Sequence, residues 1–171
     1  MQILKEKAEV TLIARPRRFG KTLGISMLES FFDIRKNSRK MFEGLEIAEH
    51  QALCKEWMNQ YPTVSISFRQ IDGLNFMDAY RQLIYEIALL YQNHAYLLDS
   101  QAISKQEKFL FQQISDRKAE KTDVMRSIQF LTLLLNKYYN KKVILLIDEY
   151  DVPVAKANNN GYYSEMLDVM K

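Results

Sequence analysis

Five consecutive aliphatic residues, Val143-Ile-Leu-Leu-Ile147, run straight into Asp148-Glu149. A short apolar run without alternation suits a strand covered on both faces, as in a parallel sheet between layers of helices. The two carboxylates then fall at the carboxyl end of that strand, where ligands of open α/β sheets sit. This one segment points to an α/β fold and to a polar site at one edge of its sheet.

The remaining segments read as strands separated by helices. Val10–Ala14 (VTLIA) is β-rich and short, and the Arg15-Pro16-Arg17-Arg18 that follows cannot continue a buried strand. From Lys21 the apolar residues Leu23, Met27, Leu28, Phe31, Phe32 and Ile34 recur at helical spacing. Thr63–Phe68 (TVSISF) alternates as a second strand, and Asn75 is positioned to cap a helix carrying Ala79, Leu83, Ile87, Leu90 and His94. An amphipathic helix is expected around Phe109, Phe111 and Ile114. A further helix, capped by Thr122 or Asp123, carries Val124, Ile128, Leu131, Leu135 and Tyr138. Asn158–Gly161 reads as a turn, with a last helix beginning near Tyr162. Strands alternating with helices predict a mostly parallel sheet.

Between the first strand and its helix lies Arg15-Pro-Arg-Arg-Phe-Gly-Lys-Thr22. Gly20-Lys21-Thr22 occupies the place of a phosphate-binding loop, where backbone N–H groups converge at a helix N-terminus. Gly20 would let the backbone approach closely, Lys21 would neutralise the β- and γ-phosphates, and the Thr22 hydroxyl would bind Mg²⁺. Arg15 stands where the usual loop has its first glycine, and Pro16 lacks an N–H; Arg17 and Arg18 would restore that field with side-chain charge. The nucleotide contacts expected are Arg17, Arg18, Phe19, Gly20, Lys21, Thr22 and Leu23.

Asp148 and Glu149 have the layout of a Walker B segment, with Asp148 on Mg²⁺ and Glu149 polarising the attacking water. Taken singly, a Gly-Lys-Thr turn or an acidic strand end is common. Both occur here in the order P-loop proteins use, about 125 residues apart. The pair predicts an ATP and Mg²⁺ site with Thr22 and Asp148 on the metal and Lys21 and Glu149 as catalytic residues. Glu149 favours hydrolysis over binding alone.

The strings LIARPRRFGKTLGISMLESFFD and VILLIDEYDVPVAKA, with NGYYSEM after them, closely resemble the bacterial AAA-ATPase-like family, whose members carry an RPRRFGK-[ST] loop and an LIDEYD strand end. Trp57–Phe68 also looks like that family's second-strand region, so the resemblance runs through nearly the whole chain. It implies a three-layer α/β/α P-loop NTPase of the class with an extra strand between the two Walker strands. Gly20, Lys21 and Thr22 match the nucleotide loop, and Asp148 and Glu149 match the metal and water-activating pair. Within the family the arginine in place of the first glycine is normal. Tyr150 and Asp151 match the signature without a chemical role assigned. Similar proteins often continue into a restriction-endonuclease-like domain, which would bring nucleic acid as a partner; a homo-oligomer is a further expectation.

In that architecture Val10–Ala14, Thr63–Phe68 and Val143–Ile147 are the first three strands, and a fourth lies between the first and the third. Only 24 residues follow Ile147, and they read as a turn and a helix. The expectation is therefore that residues 1–171 form a partial nucleotide-binding domain lacking the later strands, sensors and lid. Turnover would belong to its full-length parent, and the isolated chain would be inactive and prone to aggregate through open strand edges. Two alternatives stay open: a non-hydrolysing, nucleotide-gated module regulating an attached nuclease or partner, and a decayed remnant without nucleotide binding.

Composition sets the outer bounds. Hydrophobic residues at 47% and charged residues at 26% exclude a disordered tail. A net charge of +3 is a weak signal for nucleic acid, although Arg35, Lys36, Arg39 and Lys40 cluster with the loop arginines as a basic face. One cysteine, Cys54, excludes an intramolecular disulfide framework and fits a cytoplasmic protein. Val143–Ile147 is far too short to span a membrane, so no membrane partner is expected. His50 and His94 read as helical histidines rather than metal ligands, and Phe31, Phe32, Tyr80, Tyr85, Tyr91 and Tyr96 as packing residues.

Overall fold

The computed structural model describes residues 10–12 and 20–171. The chain divides between Tyr61 and Pro62 into two compact units.

In the first unit, helix α1 (Lys21–Phe32) buries Phe31 and Phe32 at its carboxyl end. Phe31 meets Phe42, from a 3-10 turn at Arg39–Phe42, edge-on at 5.3 Å; Phe32 meets Trp57 at 6.0 Å. Two short helices, α2 (Glu46–Glu49) and α3 (Gln51–Trp57), lead to that tryptophan, which stacks on Tyr61 at 5.0 Å. Just past α1 the buried Asp33 carboxylate accepts a two-pronged pair from Arg35, Nε to Oδ1 at 3.1 Å and Nη2 to Oδ2 at 2.8 Å. Asn59 closes the unit in a left-handed conformation (φ 56°), its Nδ2 donating to the carbonyls of Ser30 and Asp33 at 3.1 and 3.0 Å. Its Oδ1 accepts from the Ser38 N–H at 3.1 Å. Backbone polar groups where α1 ends are thus satisfied from one side chain.

The second unit is built on two parallel strands, β1 (Thr63–Ser67) and β2 (Ile144–Asp148), in register from Thr63 opposite Ile144 to Ser67 opposite Asp148. Main-chain bonds prolong the pair at both ends, Ile144 N–H to Pro62 O at 2.9 Å and Phe68 N–H to Asp148 O at 3.0 Å. Helix α4 (Phe76–Gln92) makes the crossover, started by the Asn75 side chain, which accepts the Asp78 N–H at 3.0 Å. Its buried face (Ala79, Leu83, Ile87, Leu90, Tyr91) packs in one core with Val64, Ile66 and Phe68 of the β1 segment. Helix α5 (Lys105–Ser115) adds Phe111 and Ile114 beneath a capping box between Ser104 and Glu107. Helices α6 (Lys121–Met125), α7 (Ser127–Tyr139), α8 (Val152–Asn160) and α9 (Tyr163–Met170) complete it, contributing Leu131, Leu134, Leu135, Ala157 and Met166.

The α/β character and the parallel pairing agree with the sequence expectation, with both strands shifted or shortened by one residue. Other expectations are corrected. Val10, Thr11 and Leu12 lie in no strand and are exposed; neither described strand pairs with them, and Ile13 and Ala14 fall outside the described residues. Leu145 and Ile147 are 40% and 37% exposed, so β2 is not covered on both faces: α4 packs over Val64 and Ile66 of β1 rather than their neighbours. The helix expected from Thr122 or Asp123 is two helices broken at Arg126. There the Ser127 hydroxyl bonds Val124 O and the Tyr91 hydroxyl takes Ser127 O at 2.8 Å, competing with the helical ladder. Asn158–Asn160 are not a turn but the last residues of α8, which ends at the left-handed Gly161 (φ 80°). The amphipathic helix expected near Phe109, Phe111 and Ile114 is α5, which buries Phe111 and Ile114 and leaves Phe109 exposed. His94 is buried, its Nδ1 lying 2.8 Å from Leu90 O.

Candidate nucleotide-binding site

Arg15, Arg17, Arg18 and Phe19 lie outside the described residues; the candidate loop enters view at Gly20. Gly20 is left-handed (φ 71°, ψ 25°), a conformation that penalises any side chain, although a Cβ there would touch nothing. The glycine is demanded by the backbone, not by space. Its carbonyl starts α1 by accepting the Gly24 N–H at 2.9 Å. Lys21, Thr22 and Leu23 form the first turn, whose N–H groups have no intrahelical acceptor. Gly20 has no side chain to cap that end, and no acidic residue occupies the first turn. An anion at α1 would meet oriented N–H groups, the positive end of the helix dipole and the half-buried Lys21. The structure brings Gly20, Lys21, Thr22 and Leu23 together at one helix start.

Asp148 and Glu149 belong to the second unit. Asp148 ends β2 with 5% of its surface exposed, its backbone held by Phe68. Glu149 turns the chain in the left-handed region (φ 55°), and its carbonyl accepts the Val152 N–H at 3.1 Å. α8 follows at once, with Pro153 in its first turn, where a missing N–H has no consequence. The turn reverses the chain at the strand end and leaves Glu149 half-buried and Tyr150 exposed.

Two features of the loop after β1 escaped the sequence reading. The register sets Ser67 opposite Asp148. The loop itself is latched to the helices that follow Glu149. Gly73 O accepts from Tyr162 Oη at 2.8 Å and Asn160 Nδ2 at 3.1 Å, and Lys156 Nζ pairs with Asp72 at 2.7 Å. The Lys156 hydrogen bond holds the Asp72 carboxyl below its ordinary range. The alternation of TVSISF, which puts its serines on one face, was the available signal for Ser67; the latch joins residues too far apart in sequence to leave one.

Among the described residues no group of three or more His, Cys, Asp or Glu is placed to hold a metal ion. Mg²⁺ needs no such cage, since it takes one or two carboxylates together with substrate phosphates and keeps several waters. Thr22 in the first unit and Asp148 in the second each carry a hard oxygen donor of the kind that ion takes.

A family model described as predicted AAA-ATPase matches residues 1–171. The chain belongs to the AAA-ATPase-like family. No curated protein and no solved structure gives a match. No described helix of this AAA-ATPase-like chain is long and apolar enough to cross a membrane.

Proposed function

We propose that this chain binds ATP with Mg²⁺ and supports its hydrolysis. The observation that carries the reading is the left-handed turn at Gly20 feeding a twelve-residue helix that begins Lys21-Thr22. The N–H groups of that first turn, including that of Leu23, hold the phosphate oxygens, and Lys21 neutralises the β- and γ-phosphates. Arg17 and Arg18 add positive charge, and Phe19 completes the nucleotide contacts. The Thr22 hydroxyl and the Asp148 carboxylate hold the metal. When bound, Mg²⁺ supplies charge neutralisation on the phosphates. Glu149 accepts the proton of the attacking water.

Steady-state phosphate release from Mg·ATP by the full protein tests this. Glu149→Gln should retain nucleotide binding and lose turnover by at least about a hundredfold, the ordinary worth of a positioned base. Unchanged turnover in Glu149→Gln would overturn the assignment. Binding without turnover in the wild type would leave a nucleotide-gated module instead.

A further inference from the structure

β1 is two-sided. Val64 and Ile66 enter the core, whereas Thr63, Ser65 and Ser67 share the opposite face. Ser67 is the register partner of Asp148. Partners in a parallel pair stand about 4.8 Å apart, and their side chains leave the same face of the sheet. A hydroxyl and the candidate metal carboxylate therefore stand side by side at the carboxyl end of both strands. Ser67 is half-buried, and its Oγ accepts one long bond, from the Arg69 N–H at 3.4 Å. Its own proton goes to no acceptor among the described residues.

We propose that Ser67 is a positioning residue on the metal side of the site. Its hydroxyl donates to a water also held by Asp148, and the pair orders the hydration shell of the bound ion. Mg²⁺ sheds water reluctantly, so groups that hold its waters set its affinity, typically by ten- to a hundredfold. This inference rests on the nucleotide reading above. A purely structural serine, accepting Arg69 N–H to shape the turn, would alter stability and leave metal affinity alone.

Mn²⁺ binding to the full protein in the presence of a non-hydrolysable ATP analogue, read by electron paramagnetic resonance, separates these roles. Ser67→Ala should weaken Mn²⁺ about tenfold, and Ser67→Thr, which keeps the hydroxyl and suits a strand, should stay within about twofold of wild type. Metal-free affinity for the analogue should not change in either. Asp148→Asn is the reference and should weaken Mn²⁺ at least as much. Wild-type Mn²⁺ affinity in Ser67→Ala, with Asp148→Asn impaired, overturns the role of Ser67 and leaves the nucleotide reading standing. A wild-type protein without nucleotide-dependent Mn²⁺ binding overturns both.

Discussion

The backbone N–H of Phe68 donates to the carbonyl of Asp148 at 3.0 Å, so the last residue of β2 is held by the strand beside it. Phe68 is itself buried in the core, and one residue before it stands Ser67, the partner of Asp148 in register. The backbone at Asp148 is thus tied to hydrophobic packing under β1. The residue after it is held differently: Glu149 sits in a left-handed turn that a glutamate adopts only at a cost.

That cost gives a prediction. Glu149→Asn should raise stability by up to about 1 kcal/mol, because asparagine tolerates the left-handed region, while removing the proposed base. Denaturant melts of the two proteins check the first half and phosphate release the second. A destabilised Glu149→Asn would show that the turn needs the glutamate side chain for its own structure.

Gly73 is required for a different reason. A Cβ there would lie 2.5 Å from Ala79 N and 2.9 Å from Asn75 O, both main-chain atoms that cannot step aside. Gly73→Ala should cost about 1–3 kcal/mol, the range for forced overpacking. Tyr162→Phe, which removes one hydrogen bond to the Gly73 carbonyl, should cost about 1 kcal/mol. Chemical denaturation of each variant measures both, and a neutral Gly73→Ala would contradict the close approach.

Asn59 satisfies main-chain groups at the end of α1 with both ends of its amide, and it occupies a left-handed conformation. Asn59→Ala should destabilise by about 2–3 kcal/mol, since the Asp33 carbonyl and the Ser38 N–H lose their bonds to the Asn59 side chain together. Asn59→Gly would relieve the backbone while losing the same bonds. A smaller loss in glycine than in alanine, read by thermal melts, is the expected order.

Acid stability should show the capping box of α5. Lys137 and the Ser104 N–H both hydrogen-bond the Glu107 carboxylate and hold its pKa below the ordinary 4.5. A lowered folded value means that the contribution is complete above about pH 4.5 and is lost as the pH falls through the folded pKa. Glu107→Gln keeps the box without the titrating charge, so its stability should fall less steeply below pH 4.5 than that of the wild type. Identical acid limbs would contradict the coupling.

Local chemistry made some of this legible in sequence. The aliphatic runs ending at Phe68 and Asp148, the Asn75 cap and the glycine before Lys21 each act through neighbours along the chain, and each is found within a residue of where pattern places it. What pattern missed depends on distant partners. At the break beside Arg126, the Ser127 carbonyl accepts from the hydroxyl of Tyr91, 36 residues earlier. The helix continues through three asparagines that favour turns, and one of them, Asn160, bonds the carbonyl of Gly73, 87 residues away. The exposure of Leu145 and Ile147 follows from where α4 packs, which a run of aliphatic letters does not encode. Within the candidate site, residue types were readable, whereas the register that pairs Ser67 with Asp148 was not.

The nucleotide proposal depends on phosphate binding at the turn where α1 begins. Isothermal titration of the full protein with Mg·ATP, in the wild type and in Lys21→Ala, tests it most directly. Saturable binding by the wild type is expected, with a loss of about tenfold or more in Lys21→Ala, as when a charge-assisted phosphate contact is removed. Equal affinity in the two proteins, or no binding by the wild type, would contradict it.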